Sequence, residues 1–118
     1  MNRIEKPWGF EELIEVNEKY MMKKLKMNKG NMCSLQYHEK KRETLYVLQG
    51  QLKVYMGNKQ DDLKQIIMNP SDTLTLKPFI IHRMEAIEDS IYLEASTPEL
   101  NDVVRLKDEY GREGTSDP

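Results

Sequence analysis

Residues 44–56 read Thr44-Leu45-Tyr46-Val47-Leu48-Gln49-Gly50-Gln51-Leu52-Lys53-Val54-Tyr55-Met56. In this stretch Leu52, Val54 and Met56 alternate with Gln51, Lys53 and Tyr55, the two-residue period of a strand with one buried face. The run TLYVLQ meets it at Gln49-Gly50, where glycine can take the positive φ of a tight turn, so the stretch predicts a hairpin. Further out lie the short apolar runs FEELIEV, YMMKKLKM, LKQIIM, DTLTLK, RMEAI and SIYLEAS. The segments GNKQDD, NPSD and IEDS that bound them have turn compositions. No window between Phe10 and Ser96 sustains a helical period. Eight or so short strands in about 90 residues predict an all-β sandwich or small barrel.

With 118 residues the chain predicts a single domain, 1–118, with a core over about 8–97 and a tail over 98–118. The tail, PELNDVVRLKDEYGREGTSDP, is expected to be irregular, with a helical turn around Asp102 to Lys107 and disordered last residues. A net charge of −2 gives no field suited to nucleic acid as a main partner. The single Cys33 excludes a disulfide scaffold and a cysteine zinc cluster, and it fits a reducing compartment. No run approaches the ~20 apolar residues of a membrane span, and the charged start MNRIEKPWG lacks a signal-peptide core. A soluble, cytoplasmic protein without membrane contact is expected. The exposed sheet edges of a lone barrel predict a homodimer.

Chemistry concentrates between Gly30 and Gly50. Gln36 and His38 stand two apart on a strand, so their side chains leave one face. Glu43 opens the next apolar strand after a short polar segment, and His82, in KPFIIHRM, is the only other histidine. Two imidazole nitrogens, one carboxylate and one amide oxygen suit one divalent ion such as zinc, manganese or iron.

These residues resemble the cupins, whose first motif has a glycine, five residues, His-x-His, a glutamate after three or four residues and a glycine six further on. Gly30, His38, Glu43 and Gly50 keep that spacing, with Gln36 in place of the first histidine. In the second motif Ser71, Lys77 and Phe79 stand where cupins usually have glycine, proline and glycine, and His82 stands at the metal-binding histidine. SLQYH, KPWG at Lys6 to Gly9 and DVVRLKDEYGR at Asp102 to Arg112 are similar to the isomerase domain that ends type II mannose-6-phosphate isomerases. That family usually has arginine two residues before the metal-binding glutamate, where this chain has Lys41, followed by Arg42. No glycine-rich nucleotide motif precedes KPWG, so guanylyltransferase activity is not expected.

The resemblance implies a single cupin jelly-roll barrel of two antiparallel sheets, with a divalent metal held by Gln36, His38, Glu43 and His82. It further implies a metal-dependent sugar or sugar-phosphate aldose–ketose isomerase of carbohydrate biosynthesis. Both histidines being ligands, the proton-transferring base must be found elsewhere. Glu94, in YLEAS, is the candidate, because the phosphomannose isomerases have a glutamate in the corresponding strand. Lys41, the second candidate catalytic residue, is expected with Arg42 to hold a phosphate or ring hydroxyl, and Arg105 is a further anion ligand. The alternatives are a non-catalytic sugar-binding or regulatory cupin, a cupin dioxygenase and a sugar-nucleotide epimerase.

Other features have plainer readings. Lys19, Lys23, Lys24, Lys26 and Lys29 read as a solvated strand face or a protected edge, with phosphate capture as the alternative. Trp8 reads as a packing anchor and the eight methionines as core filler. Arg105, Asp108, Tyr110 and Arg112 belong to a tail that either closes over the barrel mouth or packs on its outside.

Overall fold

The computed structural model describes residues 2–111. Its strands are β1 (Asn2–Lys6), β2 (Gly9–Val16), β3 (Met21–Met27), β4 (Leu35–Tyr37), β5 (Glu43–Gln49), β6 (Leu52–Lys59), β7 (Asp62–Met68), β8 (Thr73–Leu76), β9 (Ile81–Ala86), β10 (Ser90–Ser96) and β11 (Val104–Lys107). One sheet has the order β1-β2-β3-β10-β5-β8 and the other β11-β4-β9-β6-β7, with antiparallel pairing throughout. The alternation predicts an all-β sandwich or small barrel, and the two antiparallel sheets are those the cupin resemblance implies. Among the described residues no helix is long and apolar enough to cross a membrane.

Two local expectations are corrected. The Gln49-Gly50 turn does not close a hairpin, because β5 pairs with β10 and β8 while β6 pairs with β9 and β7 in the other sheet. The turn instead hands the chain from one sheet to the other. Gly50 has φ 90°, and a Cβ there would lie 2.4 Å from the Asp89 carbonyl oxygen. Backbone strain and this contact together are expected to make Gly50→Ala less stable by about 2 kcal/mol or more. Urea unfolding checks this as a lowered midpoint with an unchanged slope; an unchanged midpoint would contradict it.

The second correction concerns the tail, where Val104–Lys107 is a strand and not a helical turn. β11 pairs with the edge of β4, setting Arg105 against Gln36. Leu100, Asn101, Asp102, Val103 and Arg105 all face the interior cavity, so this part of the tail closes over the barrel mouth. Tyr110 packs against the core and Asp108 is buried. Arg112 and the polar end lie outside the described residues.

On four strands the inward positions change character along the barrel. On β5, Val47 and Leu45 lead to Glu43; on β9, Ala86 and Met84 lead to His82; on β3, Met27 and Leu25 lead to Lys23. On β10 the same face carries Tyr92, Glu94 and Ser96. One end is therefore an apolar core that includes Leu45, Val47, Leu52 and Val54, with Trp8 and Met84 where it meets the cavity, each position worth about 1.5–3 kcal/mol for a fully buried large apolar side chain. The other end turns the same period inward with polar side chains, and that end is the site.

Candidate functional site

His38, Glu43 and His82 meet at the polar end, all buried, with one potential ligand atom from each lying within 4.8 Å of the others. The turn after β4 brings His38, the start of β5 brings Glu43, and β9 brings His82. His38 Nδ1 bonds the Asp102 carbonyl oxygen, and His82 Nδ1 bonds the Ile80 carbonyl oxygen at 2.9 Å. A carbonyl only accepts, so each Nδ1 carries a proton, and Nε2 is the ring nitrogen turned toward the cluster. The two Nε2 atoms lie 3.4 and 3.2 Å from Glu43 Oε1. Both are buried without a hydrogen-bond partner among the described residues. Two ring nitrogens fixed through their Nδ1 bonds and aimed at one carboxylate oxygen, all three side chains buried, are a donor set that fits a divalent cation.

Gln36 faces His82 across the β4–β9 pairing and lines the same cavity. Its amide oxygen accepts a 2.6 Å hydrogen bond from the Ser34 hydroxyl, which leaves the oxygen a second lone pair.

The other oxygen of Glu43 faces Lys41 Nζ at 3.4 Å, and that ammonium reaches Glu94 Oε2 at 2.9 Å. Burial alone would raise the Glu43 carboxyl, but the Lys41 ammonium, the largest opposing influence, holds it well below its ordinary range. Burial would lower Lys41, yet Glu94 and then Glu43 raise it, so the ammonium stays charged. For Glu94, burial and the neighbouring Glu43 raise the carboxyl, against the opposing pull of Lys41 and Lys23. A carboxylate of raised proton affinity beside a charged donor is a group suited to taking and returning a proton.

A cavity of about 280 Å³ opens from this cluster. It stands at the lower end of small-molecule pockets, about 300–1,000 Å³, a size for a monosaccharide derivative. Gln36, His38, Lys41, Glu43, Glu94 and Arg105 all line it, and His82 lies behind them at 1% exposure. Arg42 is not among them: it is exposed, and its backbone is tied to Thr97.

Several residues here escaped the sequence reading. Asp102 accepts the backbone N–H groups of Glu39, Lys40 and Lys41 at 3.0, 2.7 and 2.8 Å, fixing the loop between His38 and Glu43. Burial opposes its ionisation, but these donors hold its carboxyl below the ordinary value. Lys23, read with the lysine run as solvated, is buried and paired with Glu11 at 3.4 Å. The signal was its alternation with Met21, Leu25 and Met27. Trp8 is in the core as expected, and it also lines the cavity.

The family model of the mannose-6-phosphate isomerase C-terminal domain matches residues 1–108. The chain belongs to this family. Among relatives of this mannose-6-phosphate isomerase C-terminal domain, the xanthan biosynthesis protein XanB of Xanthomonas campestris pv. campestris (strain B100) is 25% identical over 93% of the chain and 24% of its own length. Mannose-1-phosphate guanylyltransferase 2 of Escherichia coli O157:H7 is 29% identical over 92% of the chain and 22% of its own length. The domain thus spans about a quarter of the length of these curated relatives. Several solved structures share its fold. KdgF from Halomonas sp. superposes with a TM-score of 0.71 at 19% identity, over 84% of this chain and 87% of that one. The capsular polysaccharide assembling protein CapF from Staphylococcus aureus gives 0.78 at 12%, over 90% and 34%. Oxalate decarboxylase from Bacillus subtilis gives 0.77 at 19%, over 90% and 30%.

Proposed function

We propose that the protein is a metal-dependent sugar or sugar-phosphate isomerase interconverting aldose and ketose in carbohydrate biosynthesis. The observation that carries this reading is the pairing, in one monosaccharide-sized cavity, of a three-residue cation cluster with a separate buried carboxylate, Glu94, held by Lys41. Family membership supports the same chemistry. His38, Glu43 and His82, with the Gln36 amide oxygen, would hold the ion. Bound there, a divalent metal supplies Lewis-acid polarisation of the sugar's carbonyl and hydroxyl oxygens.

The chain's own residues do the rest. Glu94 takes the proton from the carbon next to the carbonyl and returns it to the carbonyl carbon, while the proton of the adjoining hydroxyl passes to the former carbonyl oxygen, through an enediol. Lys41 keeps Glu94 oriented and holds positive charge beside the oxygen that becomes electron-rich. The tail residues Leu100 to Val103 and Arg105 cover the cavity and limit water around the reacting carbons. The test is a panel of aldose phosphates and free aldoses given to protein loaded with zinc, manganese or iron. Ketose formation that stops on chelation and returns with metal is expected. No ketose from any of them would leave a sugar-binding cupin without turnover as the better reading.

A further inference from the structure

The cavity wall away from the histidines carries a second polar cluster that proton transfer does not use. Lys6, at the end of β1, and Lys23, within β3, both direct their ammonium groups at Glu11 Oε1 on β2, at 3.5 and 3.4 Å. The three side chains are only 7%, 11% and 10% exposed. Taking two ammonium ions out of water is costly, and here one carboxylate oxygen is shared between both. Lys23 is also the register partner of Glu94 across β3 and β10, so the cluster begins one side chain from the proposed base.

Tyr92, two residues before Glu94 on the same inward face, lines the same cavity at 0% exposure. Its hydroxyl has no hydrogen-bond partner among the described residues. Burial above all, and with it the negative charge of Glu94, Glu11 and Glu43, pushes the phenol well above its ordinary value, so it remains a donor. A buried donor without an acceptor is unfavourable, and a ligand oxygen relieves it. Lys41, by contrast, is engaged by two glutamates, and Arg42 lies outside the cavity.

We infer that Lys6, Lys23 and the Tyr92 hydroxyl form an anion subsite that holds the phosphate monoester of the substrate, with the sugar extending from it toward Glu94. The sugar portion rests on the isomerase reading; the anion subsite does not. Glu11 acts there as the internal carboxylate that the phosphate competes with for the two lysines. Donors to a dianion are charge-assisted, which makes each lysine a substantial contributor.

Titration of the full-length protein with inorganic phosphate, followed by calorimetry with and without bound zinc, tests the subsite. Phosphate is expected to bind in both forms. Lys6→Gln and Lys23→Gln are each expected to weaken it about tenfold or more, the scale of a hydrogen bond to a charged group. Lys23→Arg retains binding. Glu11→Gln is expected to tighten it severalfold, a change that a merely structural role would not produce and that needs neither lysine variant to fold. Zinc stoichiometry stays the same in all four variants. Phosphate that fails to bind, binds only through zinc, or ignores these substitutions would overturn the subsite. The two readings separate in turnover assays. A Lys23→Gln protein that isomerises a sugar phosphate with unchanged KM rejects the subsite and keeps the isomerase. Phosphate binding lost in Lys23→Gln, in a protein that turns over no sugar phosphate, keeps the subsite and rejects the isomerase.

Discussion

His82→Ala protein is expected to bind zinc or manganese more than about 100-fold more weakly than wild type, since loss of a mere outer-shell partner already costs 10- to 100-fold. His82 is 1% exposed, its Nδ1 is fixed on the Ile80 carbonyl, and its Nε2 lies 3.2 Å from Glu43. The chain has two histidines in all, so no third imidazole can take over. His38→Ala is expected to behave alike, because His38 is held in the same way from Asp102. Folding is controlled for by unfolding the metal-free proteins. Wild type should then gain about 2.7 kcal/mol of stability with metal at 100 times its dissociation constant, and neither variant should gain appreciably at that concentration. Stoichiometric metal retained by both variants after dialysis would place the ion elsewhere.

Glu94→Gln is expected to lower turnover by roughly 10²- to 10⁴-fold, the contribution of a positioned general base. Glutamine keeps the size of the side chain and an oxygen to accept from Lys41, but it cannot take a proton. Lys41 retains Glu43 as its counter-charge, and the His38, Glu43 and His82 cluster is untouched. Metal content and sugar-phosphate affinity should therefore stay near wild type while kcat falls, the pattern of an interaction made in the transition state. Equal turnover by wild type and Glu94→Gln would assign the proton transfer to another group.

Much of this architecture is legible in the sequence because strand alternation is local. The runs around Leu52, Met84 and Tyr92 show their buried faces directly, and His38, Glu43 and His82 stand out by residue type and spacing. What was illegible depends on distant partners. A glycine with φ 90° marks the turn at Gly50, but whether β6 folds back on β5 is decided by β9 and β7 competing for it. Val104–Lys107 is a strand only because β4 offers an edge, as its short length carries little signal of its own. Asp102 acts on backbone 61 to 63 residues away, which no local pattern reveals. At Lys23 the strand period, not the side chain's charge, decides burial. A lysine on the inward phase of a buried strand points to a paired, polar interior, and Glu11 supplies the pair.

If this cavity moves a hydrogen between adjacent sugar carbons, the substrate's own C2 hydrogen reports it. Mannose 6-phosphate deuterated at C2 is incubated with metal-loaded wild-type protein and followed by NMR. Loss of the C2 deuterium to solvent, or its appearance on C1 of the ketose, is the expected result, abolished by chelation and by Glu94→Gln. A C2 deuterium left intact through prolonged incubation, with metal bound to His38, Glu43 and His82 and the sugar phosphate in the cavity, would contradict it.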